Sequence, residues 1–205
     1  QEAPTEVNVY GDGSVKMPTE QQWAIGGFGV WWPGGRDDAA FRMSLPPVDY
    51  TFYEVHPDGV GQWNSLRGAY CSSTRAEVAA WLIALTRNVA SNMGTDSQSL
   101  ITKAGVLLQA ARDREQDPAK RTWPLPKSIR RPWSLQADGD LWQQVWTAIN
   151  QRGATAQCLT KVKGHAKESD VQQGLARAED KAGNDWADDL ADRGAMRKGD
   201  EQGAN

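Results

Sequence analysis

Val7-Asn8-Val9-Tyr10-Gly11-Asp12-Gly13-Ser14 alternates apolar and polar side chains, then sets an aspartate between two glycines. This pattern predicts a β-strand that ends in a turn, with Asp12 at its end. The glycines would let the backbone approach a ligand there. Outward from this stretch, residues 15–25 read as a loop. Gly26-Gly27-Phe28-Gly29-Val30-Trp31-Trp32 predicts a second strand, stopped by Pro33-Gly34-Gly35. A third strand is expected in an insertion over 36–68. Its best candidate is Asp49-Tyr50-Thr51-Phe52-Tyr53-Glu54-Val55, with Pro46-Pro47 and His56-Pro57-Asp58-Gly59 as breakers on either side.

The helical signals come next. Ser72-Ser73-Thr74 offers N-caps for a helix in which Val78, Trp81, Leu82 and Leu85 share one face. A short fourth strand around Met93-Gly94-Thr95 runs into Asp96-Ser97, and a helix is expected from Gln98 to Arg112. Four prolines between 113 and 138 forbid a long regular element there. Asp140 is expected to cap a helix through Ile149, and Gln157–Lys163 alternates like a fifth strand that ends at Gly164-His165. A polar loop (166–181), a helix from Asn184 to Arg193 and a flexible tail (194–205) complete the chain. The expected fold is α/β: a five-stranded mixed sheet, its first three strands antiparallel, flanked by helices. Residues 1–6 are a tail, and 7–193 form one domain with insertions at 36–68, 113–138 and 166–181.

Composition narrows the functional classes. The chain has 205 residues, 39% of them apolar, and a net charge of −3. That suffices for a full core and excludes a wholly basic nucleic-acid coat, although not a local basic patch. No apolar run approaches the ~18 residues of a membrane span, and no signal peptide is visible. Two cysteines exclude a disulfide framework and fit a reducing, intracellular compartment. The start at Gln1 reads as a fragment, a processed product or an excised domain.

Four acids stand at element ends or on helices: Asp12, Glu77, Asp96 and Asp188. Loops after the first and fourth strands can meet at one end of a sheet. Carboxylates converging there repel one another unless cations separate them. Oxygen-only ligands select Mg²⁺ or Mn²⁺ over Zn²⁺, and no zinc-ligand spacing exists. Two carboxylate-held Mg²⁺ ions suit in-line displacement at a phosphodiester. Each acid also has a plain reading. Asp12 could be a turn residue, Glu77 a solvated carboxylate and Asp96 an N-cap. Asp188 has rivals in Asp185, Asp189 and Asp192. Joint occurrence is what favours a site.

Five motifs occur together in order: Gly11-Asp12-Gly13-Ser14, Ser73-Thr74-Arg75-Ala76-Glu77, Thr95-Asp96-Ser97-Gln98, Val162-Lys163-Gly164-His165-Ala166 and Gly183-Asn184-Asp185-Trp186-Ala187-Asp188. The last of these runs on through Asp189-Leu190-Ala191, and in order and approximate spacing the five resemble type 1 ribonuclease H across 7–193. The resemblance implies a metal-dependent endonuclease that cleaves the RNA strand of RNA/DNA hybrids with two Mg²⁺ ions, Mn²⁺ being a substitute. It makes Asp12, Glu77, Asp96 and Asp188 the metal ligands. Asp12 bridges both ions, and His165 assists proton transfer or product release. Gly13, Ser14, Ser73, Thr74 and Gln98 would recognise the substrate near the site. The basic, proline-rich segment resembles the family's substrate handle, through Lys120, Arg121, Trp123, Lys127, Arg130, Arg131 and Trp133. A monomer is expected, free or covalently linked to other domains, as in a reverse-transcriptase-type protein. Two alternatives stay open: a DNA-cleaving relative of the same fold, and a non-catalytic hybrid-binding or connection module. The chain departs from the common pattern in its longer 166–183 loop and in Ser73-Thr74, where the family often has two Asn.

Overall fold

The computed structural model describes residues 1–17, 24–35, 51–66 and 71–203. Strand β1 (Val9–Lys16) does not turn at the glycines but runs through them. It pairs antiparallel with β2 (Ile25–Pro33), with Tyr10 opposite Trp31, Asp12 opposite Gly29 and Ser14 opposite Gly27. The expected turn fails because the glycines serve packing. A Cβ on Gly11 would lie 2.6 Å from Met93 Sδ, and one on Gly13 would lie 2.6 Å from the Glu77 backbone nitrogen. Neither has a positive φ. The bare backbone therefore admits the protein's own helix, not a ligand.

Among the described residues the sheet has six strands, not five, in the order β3-β4-β2-β1-β5-β6. The extra strand comes from Pro57-Asp58, which is not a terminator but a two-residue turn. It joins β3 (Phe52–His56) to β4 (Gly59–Ser65), with His56 paired to Gly59. Four strands are thus antiparallel. Strand β4 hides its burial from a hydropathy reading because, Val60 apart, its buried residues are small or polar. Gly61 faces Leu190, and Gln62, fully buried, accepts a 2.9 Å hydrogen bond from Arg87 Nε. Strands β5 (Ser91–Thr95) and β6 (Gln157–Lys161) extend the sheet parallel to β1. Asp49 and Tyr50, parts of the 15–25 and 36–68 segments, and Trp23 lie outside the described residues.

Period-two alternation sends β2 side chains to two layers. Phe28, Val30 and Trp32 face the main core, with α1 (Ser73–Thr86), α2 (Gln98–Gln116) and α3 (Gly139–Arg152). Trp81, Leu85, Leu107, Trp142 and Ile149 are essentially fully buried there. Trp31 faces the other layer, where it stacks on Trp186 at 4.5 Å. That layer holds α5 (Ala178–Gly203). Gly27 and Gly29 leave β2 bare beneath Ala187, Ala191 and Ala195; a Cβ on Gly29 would lie 2.6 Å from the Ala191 nitrogen. Helix and sheet thus meet backbone to backbone, which brings the polar side of α5 next to β1.

Other boundaries also shift. α5 starts before Asn184 and continues past Arg193, so the expected flexible tail is helical to Gly203. Gly194 and Ala195 hold it against β4 and β2. The expected loop at 166–181 contains a short helix, α4 (Glu168–Gln172). Asp140 is not a cap: α3 begins at Gly139, and Asp140 binds Arg75 through two hydrogen bonds of 2.8 and 2.6 Å. Residues 1–6 are tied down, since Ala3 N donates to Thr155 O and Asn92 Nδ2 donates to Thr5 O. Among the described residues no helix is long and apolar enough to cross a membrane. Neither Cys71 nor Cys158 is in a disulfide.

Candidate metal centre and nucleic-acid face

Parallel pairing of β1 with β5 ends at Tyr10–Gly94, so Asp12 lies just past the carboxyl end of β5. Asp96 follows β5 directly, and Glu77 comes from the first turns of α1. The space on Gly13 lets that helix approach. Three elements thus bring Asp12, Glu77 and Asp96 together, each offering a carboxylate oxygen within 4.8 Å of the others. Asp12 is 7% and Glu77 6% exposed. Asp96 is not an N-cap: Ser97 fills that role by accepting from Leu100 N. The Asp12 carboxylate accepts from Gly13 N at 2.7 Å, while Thr95 Oγ1 donates to Glu77 Oε2 at 3.4 Å.

These few hydrogen bonds do not compensate the burial of like charges. Burial, then the neighbouring Asp96 charge, pushes the Asp12 carboxyl up to about 7. Burial, then the Asp12 and Asp96 charges, pushes Glu77 up to about 9. Such a cluster favours binding a proton or a cation. Its all-oxygen donor set fits a hard divalent ion.

Asp188 is adjacent to this trio rather than inside it. Its carboxylate stands 3.8 Å from His165 Nδ1 and is raised, first by burial and then by Asp192. The rival acids of α5 have cationic partners. Asp185 pairs with Lys181 at 2.6 Å, Asp189 pairs with Arg193, and Asp192 pairs with Lys16 at 2.7 Å. His165 has a positive φ of 47° and an 80% exposed side chain.

The residues expected at the substrate divide. Gly13 acts through its backbone, on Asp12. Ser14 donates its hydroxyl to Asp192, an arrangement that no sequence motif announces. A weaker signal exists: Asp192 lies four residues after Asp188, on the same helical face. Ser73 and Thr74 begin α1, whose cap is Ser72, and Gln98 is exposed at the start of α2. In the basic segment, Arg121, Lys127, Arg130 and Arg131 are exposed. Trp123 is 58% exposed, with Lys120 Nζ 5.6 Å from its ring centroid. A cleft of about 120 Å³ lies there, between α2 and the 120–126 turn. Trp133 instead packs half-buried against the main core, and Ile129, 2% exposed, pins the segment down.

No protein-family model and no curated protein matches the chain. Solved structures do. The PFV RNase H domain is 18% identical over 92% of this chain and 93% of that one, with a TM-score of 0.53. LC9-RNase H1, a type 1 RNase H with the type 2 active-site motif, is 18% identical over 95% of this chain and 75% of that one, at 0.49. The foamy viral protease-reverse transcriptase in complex with RNA/DNA hybrid is 14% identical, at 0.46. The match covers 91% of this chain and 19% of that protein. At such identities the likeness lies in the architecture: this chain has the ribonuclease H-like fold.

Proposed function

We propose that the chain is a metal-dependent endoribonuclease that hydrolyses the RNA strand of RNA/DNA hybrids, acting alone or as one domain of a reverse-transcriptase-type protein. One observation carries the reading. Three carboxylates, two of them buried, crowd within 4.8 Å at the carboxyl end of the sheet. A fold has no structural use for that repulsion, whereas a divalent cation relieves it. Asp12, Glu77 and Asp96 would hold one Mg²⁺ or Mn²⁺, and Asp12 with Asp188 a second. Bound there, the metal supplies Lewis-acid stabilisation of phosphoryl charge and a more acidic water. His165, exposed beside Asp188, would move a proton at the phosphate or leaving oxygen. The 120–131 basic side chains would meet DNA-strand phosphates, and Trp123 would lie against a sugar. Short polar groups near α1 would sense the 2′-hydroxyl.

A gel assay tests this. A labelled RNA/DNA hybrid should be cut only with Mg²⁺ or Mn²⁺, while single-stranded RNA, duplex RNA and duplex DNA stay whole. Cleavage of duplex DNA would favour the DNA-cleaving reading, and hybrid binding with no hydrolysis at any metal concentration the non-catalytic one.

A further inference from the structure

The segment leaving β6 touches the candidate centre at two points. Val162 N donates to Thr95 O at 3.0 Å, which continues the β5–β6 pairing up to Asp96. Gly164 then passes so close that a Cβ would lie 2.8 Å from Asp96 Cγ. The next residue, His165, reaches Asp188. It does so in the left-handed region with its ring almost wholly in solvent, so no packing around the ring holds it. Apart from Ala166, which is buried, the turn must be fixed by bonds made from outside it.

Asp170, on α4, does this. One carboxylate oxygen takes Lys163 Nζ at 2.6 Å, and the other takes Lys167 N at 2.8 Å. Its main-chain carbonyl accepts from Leu175 N at 2.8 Å and from Ala176 N at 3.3 Å. Lys163 and Lys167 flank Gly164 and His165 on either side, so one residue closes the turn from both ends. An isolated surface ion pair does little. This carboxylate is only 17% exposed and joins the ion pair to a main-chain hydrogen bond. Apart from Lys163, the residues that make these bonds lie within the 166–183 stretch that lengthens this chain relative to the common pattern, which gives that insertion a use.

We infer that Asp170 is a positioning residue: through Lys163 and Lys167 it braces the turn that sets Gly164 against Asp96 and His165 beside Asp188. The catalytic consequence rests on the ribonuclease reading above; the brace itself does not. The test uses the full chain with Lys163→Met, Asp170→Asn and the swap Lys163→Asp/Asp170→Lys, each alone and combined with His165→Ala. Hydrogen exchange of amides 164–167 should quicken about two- to fivefold in the two single variants, with β6 amides unchanged, and return only in part in the swap, which restores the ion pair but leaves Lys167 N without its acceptor. With hybrid substrate, kcat should fall by about the same factor at constant KM. In the His165→Ala background the two substitutions should cost nothing further. Unchanged exchange, or losses that multiply with His165→Ala, would overturn the positioning role. Faster exchange in a chain whose wild type cuts no hybrid would instead uphold the brace and sink the ribonuclease reading.

Discussion

On the proposed ribonuclease reading, the acidic trio and the basic segment would meet the same kind of partner, a charged backbone, through opposite constructions. Asp12, Glu77 and Asp96 stand within β1, at the start of α1 and just past the end of β5, two of them buried, with glycines leaving room for the approach. The handle residues stand on short turns, with most side chains in water and Ile129 as the buried anchor. Chemistry at one phosphorus needs fixed geometry and is worth storing repulsion for. Holding many phosphates needs charges that add up, each modestly and with tolerance. Loss of one residue should therefore be catastrophic in the first region and graded in the second.

The largest effect should come from Asp12→Asn. Turnover on hybrid should fall by roughly 100-fold or more while hybrid still binds, read by single-turnover cleavage beside a gel-shift assay. Metal-free stability should rise, because one repelling charge is gone. Next comes Gly13→Ala. Its methyl would press on the α1 backbone, so melting should drop by several degrees and cleavage with it, read by calorimetry and the gel assay.

The third expectation concerns pH. Asp12 and Glu77 titrate above ordinary carboxylate values near 4, at about 7 and about 9, so the folded chain holds more protons than the unfolded one across that window. Metal-free stability should be full below about pH 4, as far as these groups are concerned, and fall as pH rises towards 9. Melting curves should show this fall, with Mg²⁺ restoring more at pH 8 than at pH 5. The smallest effects belong to the handle. Arg130→Ala or Lys127→Ala should raise KM a few-fold on every hybrid sequence and cut the salt dependence by about one ion. Trp123→Ala should weaken binding about as little and lower the melting point only slightly, since more than half of that residue is already in solvent.

The same contrast explains how much of the molecule is legible in the sequence. α2 is readable because an apolar stripe marks its buried face, and α1 and β2 because continuous apolar runs mark elements buried nearly all round. The convergence of Asp12, Glu77 and Asp96 is readable because their motifs occur in order. Structure made by absence or by polarity escapes. Gly11 and Gly13 look like a turn, yet they are packing gaps inside β1. Gly61 and buried Gln62 conceal β4, and the Ala and Gly residues that carry α5 onto β2 look like a weak, frayed end. Around the centre, Asp192 has no motif to announce it, and only the fold brings it to Ser14 and Lys16. Ser14 consequently spends its hydroxyl inside the protein.

The most direct check is Mn²⁺ binding followed by electron paramagnetic resonance, with a hybrid bearing a deoxynucleotide at the cleavage position. Wild-type chain should take up the ion, and Asp12→Asn and Glu77→Gln should each lose most of that binding with the fold intact. Equal uptake by all three proteins would mean that the crowded carboxylates are not a metal centre, and the account would fail at its root.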